Sequence, residues 1–298
     1  MITWTESGAV EQPTMLQIRV QRAYPGRVRA GAPVPTRSMS TEELHDNLHF
    51  FTEGKRGPRT HPCSRLVLSG VGVASRPDIP EIIAQARPWG MERIVLHAGV
   101  EDLESLDVAS LGPLVDCLVI PVQPGPGGAS LQEGTRLIRQ CSEHDLTVVA
   151  NTVLTPRALS SLEAIARTLI RVKPKQAALT YPFPISGTSS SEVARIGAVV
   201  RSLSVVVPML QGQGIEVSIK GLPACYLPKY QEVFRKSANR WYVDADHQKD
   251  EAILFYPEVV AFTKAESCRF CAADPACDGF FATYLRREGF PPLNPIGT

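Results

Sequence analysis

Between residues 65 and 220, short apolar segments alternate with longer amphipathic segments. The apolar segments predict strands at 65–70, 93–97, 117–122, 146–151, 177–181 and 216–220, and the intervening segments predict helices at 79–88, 103–114, 131–144, 159–172 and 192–207. Short, nearly continuous apolar strands that alternate with helices are typical of βαβ units in a parallel sheet. A further strand is expected at 16–20. The pattern predicts an α/β fold of the partial parallel (β/α)6 barrel type. An open doubly wound sheet is the alternative.

In either architecture the ligand site should lie at the carboxyl ends of the strands. The residues expected there are Gly70, His97, Asn151, Tyr181 and Lys220. His97 could equally be a structural histidine. Lys220 could also act as a Schiff-base nucleophile, because an amine at the mouth of a barrel can attack a carbonyl group. These five residues are therefore the candidates for cofactor or substrate binding.

Four cysteines in the last third of the chain form a second pattern. Cys268, Cys271 and Cys277 are closely spaced, and Cys225 lies upstream in a Pro-flanked segment. Four thiolates can hold a zinc ion or an iron–sulfur cluster, and their ligand chemistry alone does not separate the two. Core packing and disulfides are the other interpretations of these cysteines. The remaining cysteines, Cys63, Cys117 and Cys141, are expected in the core or in a loop.

The change in sequence character divides the chain into two parts. Residues 1–221 carry the strand and helix pattern, whereas residues 222–298 form a cysteine-bearing segment rich in aromatic residues. Aromatic side chains such as Trp241 and Phe262 are expected to pack around the cysteine centre. The sequence thus predicts a barrel followed by a cysteine-rich extension.

Composition narrows the functional class. Hydrophobic residues make up 44% and charged residues 20% of the 298 residues, and the net charge is +1. Such a balance gives no sign of a nucleic-acid or membrane partner. No apolar run reaches the ~20 residues of a membrane span, and the first residues do not resemble a secretory signal. We therefore expect a cytoplasmic protein in a reducing environment, where structural disulfides are rare.

Several segments resemble the radical S-adenosylmethionine (radical SAM) superfamily, and in particular its members with a SPASM or twitch-like extension. The most specific match is the extension: Gly221-Leu-Pro-Ala-Cys225, then Cys268-x2-Cys271-x5-Cys277-Asp-Gly279, with Tyr284 and Gly289. Weaker matches are Ser69-Gly70-Val71-Gly72, 89–96 and 151–155. The resemblance implies an auxiliary [4Fe–4S] cluster on Cys225, Cys268, Cys271 and Cys277, with zinc as the alternative metal. It also implies peptide or natural-product modification.

The chain departs from that family at the site of catalysis. The Cys-x3-Cys-x2-Cys motif that should follow the first strand is absent, since no cysteine occurs before Cys63. Val71-Gly72-Val73 replaces the family's Gly-Glu segment, so no carboxylate remains to hold the amino group of S-adenosylmethionine. The sequence therefore predicts a pseudoenzyme that does not cleave S-adenosylmethionine. It would serve as a binding or accessory partner to an active enzyme and to a peptide or small-molecule substrate. The alternatives are an active iron–sulfur enzyme with different chemistry at the barrel mouth and a zinc-stabilised interaction module.

Overall fold

The computed structural model describes residues 13–21, 37–52, 62–125, 129–183, 193–257, 261–285 and 290–297. Gly289 of the extension motif and Glu192, where the last predicted helix begins, lie outside the described residues.

One large sheet contains nearly all of the strands. Its members are β1 (Met15–Arg19), β2 (Arg65–Ser69), β3 (Arg93–His97), β4 (Cys117–Pro121), β5 (Val148–Val153), β6 (Gln176–Thr180), β7 (Glu216–Lys220), β8 (Arg240–Asp244) and β9 (Ile253–Phe255). Their order across the sheet is β7-β6-β5-β4-β3-β2-β1-β8-β9. Strands β1 to β8 pair in parallel, and β9 pairs with β8 antiparallel. A separate antiparallel pair is formed by β10 (Phe262–Thr263) and β11 (Phe280–Phe281).

Helices connect the strands. They are α1 (Thr41–Thr52), α2 (Ile79–Ala86), α3 (Val108–Leu111), α4 (Ala129–Glu143), α5 (Pro156–Ser160), α6 (Leu162–Val172), α7 (Ile196–Gln211) and α8 (Ala282–Leu285). A capping box starts α1: the Glu43 N–H donates to Ser40 Oγ at 3.1 Å, and the Ser40 N–H donates to Glu43 Oε2 at 2.8 Å. The segment predicted as one helix at 159–172 contains two, divided at Ser161.

The strands β1 to β7 follow one another in the sheet in chain order, which confirms a parallel barrel-like fold with seven strands instead of six. Strands β8 and β9 extend the sheet beyond β1, so β1 is internal and is flanked by β2 and β8. The inward and outward faces are visible in the burial pattern. Leu66 and Leu68 of β2 are fully buried on the outer, helix-covered face, whereas Val67 and Ser69 are half-buried on the other face.

The sheet is curved. In a flat sheet, β3 and β7 would be four strand spacings apart, or about 19 Å. The charge of Lys220, at the end of β7, nevertheless acts on His97 of β3 and interacts with Arg240 of β8, on the far side of the sheet order. The sheet therefore bends these strands toward a common interior without closing into a complete barrel.

Strands β8 and β9 lie after residue 221, yet they belong to the same sheet as the barrel strands. Leu16 of β1 is in register with Trp241 of β8. Trp241 is buried and its ring lies 5.8 Å from that of Phe51 in α1, so it packs on the barrel instead of on the cysteine loop. The division at residue 221 thus separates two kinds of sequence, but the large sheet contains strands from both sides of it.

Within the part of the chain that the structure describes, each helix is too short or too polar to cross a lipid bilayer.

Candidate metal centre and barrel cavity

Four cysteines surround one cavity in the C-terminal part of the molecule. Cys225, Cys268, Cys271 and Cys277 all line it, and each is half-buried. The cavity is small, with a volume of about 20 Å³, and is partly open to solvent. The structure therefore brings together all four predicted ligands.

Short turns place each of these cysteines. Cys225 lies in the 3₁₀ turn Ala224–Tyr226, which begins four residues after β7 ends. Cys268 lies in the turn Glu266–Phe270, Cys271 caps that turn, and Cys277 caps the turn Asp274–Ala276. Pro275 fits the first turn of the last of these, where no backbone donor is needed.

Backbone amides point at the sulfur atoms. The N–H groups of Ala224 and Gly279 donate to Cys277 Sγ at 3.4 and 3.3 Å, and the N–H of Ile296 donates to Cys271 Sγ at 3.3 Å. The backbone of Asn294 also donates to Cys225. Hydrogen bonds to sulfur are one means by which proteins tune metal–thiolate centres.

Burial raises the pKa of the Cys225 thiol to about 11, and the other three thiols add to the effect while Asn294 opposes it. Burial also raises the pKa of Cys277, against the backbone N–H groups of Ala224 and Gly279 and the charge of Lys264. A bound cation reverses such a preference, because it stabilises the thiolate directly. Four thiols are the donor type that a thiolate-bound metal group requires.

An aromatic cluster attaches the cysteine loop to the barrel. Phe280 and Tyr284 are fully buried, and their rings lie 5.9 and 5.5 Å from that of Tyr181. Tyr284 also stacks on Phe290 at 5.1 Å and donates through its hydroxyl to the carbonyl of Pro182 at 3.0 Å. Phe262, one of the aromatic residues expected near the centre, stacks on Phe281 at 4.6 Å.

Among the described residues, no three or more His, Cys, Asp or Glu side chains form a group that could hold a metal ion. The metal site at the four cysteines therefore stays a prediction.

A second cavity, with a volume of about 360 Å³, opens at the carboxyl ends of β1, β2 and β3. Gly70 and His97 line it, as predicted from their strand-end positions, together with Gln17, Arg19 and Ser69. Gly70 has φ +135°, and an added Cβ would lie 2.8 Å from the backbone nitrogen of Gln21. A glycine is required there because the backbone at Gly70 approaches the backbone at Gln21 so closely.

The pKa of His97 is lowered from 6.5 to about 4, by burial and by the positive charge of Lys220. Burial also lowers the pKa of Lys220, assisted by Arg240 and opposed by Asp278. Lys220 is nevertheless exposed to solvent by surface area, and it does not line this cavity. His97 is therefore a neutral imidazole at neutral pH.

The other two predicted mouth residues, Asn151 and Tyr181, make hydrogen bonds within the protein. Asn151 lies within β5, and its Oδ1 accepts a hydrogen bond from Thr180 Oγ1 at 2.9 Å. Tyr181 is fully buried, and its hydroxyl donates to the carbonyl of Ala194 at 2.8 Å. The structure thus places Tyr181 in the packing between barrel and extension, away from the barrel cavity.

Sequence reasoning missed two parts of these sites. Arg19 lies on the inward face of β1, a position that alternation along the strand could have indicated. The segment 290–297 covers the cysteine cavity, which Leu293 and Pro295 help to line. No spacing pattern identifies that segment.

No protein-family model matches this chain, and no curated protein matches it significantly. Solved structures do match. SuiB of Streptococcus suis bound to S-adenosylmethionine is 10% identical with a TM-score of 0.60, covering 93% of this chain and 75% of SuiB. SuiB bound to the precursor peptide SuiA is also 10% identical, with a TM-score of 0.61 and coverage of 93% and 74%. Native anSMEcpe with bound AdoMet and the Kp18Cys peptide is 12% identical, with a TM-score of 0.57 and coverage of 90% and 88%.

The chain shares its fold with SuiB and anSMEcpe. At this level of identity the likeness concerns the path of the chain. It extends over 93% of this chain.

Proposed function

We propose that this protein is a radical SAM-like iron–sulfur protein that has lost the site for cleaving S-adenosylmethionine. It would bind a peptide or small-molecule substrate as an accessory partner of an active enzyme in peptide or natural-product modification. The observation that carries the proposal is the contrast between the two ends of the fold. Four cysteines line one cavity after β7, whereas the segment after β1 has none.

A [4Fe–4S] cluster on Cys225, Cys268, Cys271 and Cys277 is supported by the donor set and by the N–H groups directed at the sulfurs. A cluster held by four thiolates has no vacant iron position, so it would supply electron transfer or structural support.

The residues do not fit a catalytic cluster. Residues 20–62 contain no cysteine. Cys63 is 2% exposed, and its sulfur lies 3.8 Å from the carbonyl oxygen of Pro13, in the core beside the start of β1. Val73, in place of the acidic segment, is fully buried. No step of the family's radical chemistry is therefore derived for this chain.

The accessory role is supported by the two similar structures that contain a peptide, SuiB with SuiA and anSMEcpe with Kp18Cys. A fold that retains a large cavity but lacks the reactive centre is suited to binding.

The first test is anaerobic purification followed by iron, sulfide and zinc analysis. We expect about four irons and four sulfides per chain. The Cys271→Ala variant should lose most of its iron and melt at a lower temperature, because metal binding contributes folding energy. Cys141→Ala is the matched control for metal content. Cys141 is a fully buried core residue of α4, so this variant should retain its iron. Stoichiometric zinc without iron would favour the interaction module instead.

The second test concerns catalysis. The reconstituted protein, reduced with dithionite and supplied with S-adenosylmethionine, should form no 5′-deoxyadenosine above a no-protein control. Formation that depends on the protein's own cluster would overturn the pseudoenzyme proposal. Turnover of a candidate substrate by the isolated protein, without such cleavage, would favour the alternative of an active enzyme with different chemistry.

A further inference from the structure

The interior of the curved sheet carries an excess of cationic side chains. Arg19 lines the cavity of about 360 Å³ beside Gln17, Ser69 and His97. Neither Arg19 nor Lys220 makes a side-chain hydrogen bond or ion pair with any described residue. A cavity of this volume is within the range of small-molecule sites.

The cationic groups lie close enough to interact. Lys220 disfavours the protonated form of His97, and Arg240 disfavours the charged form of Lys220. Burial lowers the pKa of both Lys220 and Arg240, and so destabilises their charged forms. Gathering positive charge in a partly desolvated space costs free energy unless an anion is present.

The negative charges nearby do not neutralise this interior. Asp278 acts on both Lys220 and Arg240, but its carboxylate is held by the N–H and hydroxyl of Ser237 at 2.9 and 2.6 Å. The effect of burial exceeds that of Asp278 on both cations. Glu101 is the carboxylate that lines the cavity, and it is exposed at the rim.

Two buried polar donors on the strands that carry Lys220 and Arg240 have no hydrogen-bond partner. Ser218, which shares a strand face with Lys220, is 2% exposed, and its hydroxyl has no hydrogen-bond partner. Arg240 Nε is likewise buried and unpaired. Buried donors normally have partners, so these two groups point to an acceptor that the protein itself does not provide.

We propose that the barrel interior binds a small organic anion with a carboxylate or phosphate group, recognised by Arg19 and Lys220. This inference rests on the binding role proposed above and names the chemical class of its small-molecule ligand. It is independent of the identity of the metal.

The test is isothermal titration of the holoprotein with citrate and, separately, with pyrophosphate, at constant ionic strength. Glucose is the uncharged control. We expect saturable binding of at least one anion and none of glucose. The anion that binds more tightly shows whether the site prefers a carboxylate or a phosphate group. Absence of binding by both anions at concentrations up to about 10 mM would overturn the proposal.

Variants locate the site. Arg19→Gln and Lys220→Gln should each weaken binding about tenfold or more, because each removes a charge-assisted hydrogen bond. Arg65→Gln is the matched control: Arg65 starts β2 at the opposite end of the sheet, exposed to solvent, and should leave affinity unchanged. Arg19→Lys keeps the charge, so it should retain measurable binding if Arg19→Gln does not fold. Equal affinity in the wild type, Arg19→Gln and Lys220→Gln would overturn the proposal.

Iron analysis of the same preparations separates this inference from the proposed function. Full iron content without anion binding would refute only the anion site. Anion binding by a protein without iron would refute only the cluster.

Discussion

Gly279 holds a position that other residues cannot occupy without moving the cysteine loop. Its φ is +90°, and an added Cβ would lie 2.3 Å from the carbonyl oxygen of Thr263. Its N–H donates to Cys277 Sγ. The geometry at one ligand therefore depends on a residue that is not itself a ligand.

We predict that Gly279→Ala lowers both iron content and melting temperature, with a loss of about 2 kcal/mol or more in the free energy of unfolding. Gly214→Ala is the control, because Gly214 also has positive φ, at +74°, but an added Cβ meets nothing within 4 Å. The control measures the cost of backbone conformation alone. Equal effects of the two substitutions on iron content would contradict the assignment.

His97 should make the protein sensitive to mild acid. Its pKa is lowered from 6.5 to about 4, so between these values the unfolded chain binds a proton at this residue and the folded chain does not. The free energy of unfolding should therefore fall as pH drops through this window, by up to about 3 kcal/mol. Above pH 6.5 the residue is neutral in both states and has no such effect.

We predict that His97→Gln reduces this loss of stability. The measurement is chemical unfolding of the metal-free protein at about pH 7 and about pH 5. His144→Gln, on an exposed histidine after α4, is the control and should behave as the wild type. If His97→Gln loses as much stability as the wild type, the lowered pKa is wrong.

At this scale, the sequence located Gly70 and His97 because both follow apolar strands whose ends are unambiguous. Tyr181 shows why the rule has a limit. Strand β6 ends at Thr180, one residue earlier than expected, and a shift of one residue moves a side chain to the opposite face of a sheet. Thr180 faces Asn151, so Tyr181 points away from the interior.

Among the elements, the segment 290–297 is the one whose role the sequence conceals. Its backbone donates to two of the four cysteines, and Tyr226 holds it by a hydrogen bond to the carbonyl of Pro291 at 2.6 Å. The Ala272 N–H also donates to the carbonyl of Ile296 at 3.1 Å. The segment makes these hydrogen bonds through its backbone groups, which every residue type carries. No pattern of residue types therefore predicts them.

We predict that deletion of residues 290–298 leaves the four cysteines able to bind iron but makes the centre several-fold more sensitive to air. The reason is that the deletion removes N–H donors and the cover over the cavity. The measurement is the decay of visible absorbance after exposure to oxygen. Gly297→Ala, where an added Cβ meets nothing within 4 Å, is the control and should decay at the wild-type rate. Equal decay of the deletion variant and the wild type would contradict the prediction.

Strand β8 was also missed, and here the cause is visible. Trp241 and Tyr242 stand among cysteines in the sequence, which suggested packing around the centre. Their segment instead pairs with β1, far away along the chain. Pairing between distant segments depends on which edge of the sheet remains open, and local propensity carries no information about that.

For the molecule as a whole, the pairing of β1 with β8 implies that barrel and extension fold together. We predict that a fragment of residues 1–221 lacks a cooperative thermal transition, because β1 loses its neighbour and the apolar surface around Trp241 is exposed. Circular dichroism during heating measures this. A fragment that melts cooperatively near the temperature of the full chain would establish residues 1–221 as an independent domain.

The same continuity has a practical side. Only Gly221-Leu-Pro-Ala separates Lys220 from Cys225, and Asp278, which follows Cys277, interacts with both Lys220 and Arg240. A change of charge in the barrel interior therefore alters the electrostatic potential at Asp278, the residue next to Cys277. With iron bound, the visible absorbance of the protein should shift when an anion occupies the barrel interior. The spectrum would then report directly whether the anion is bound.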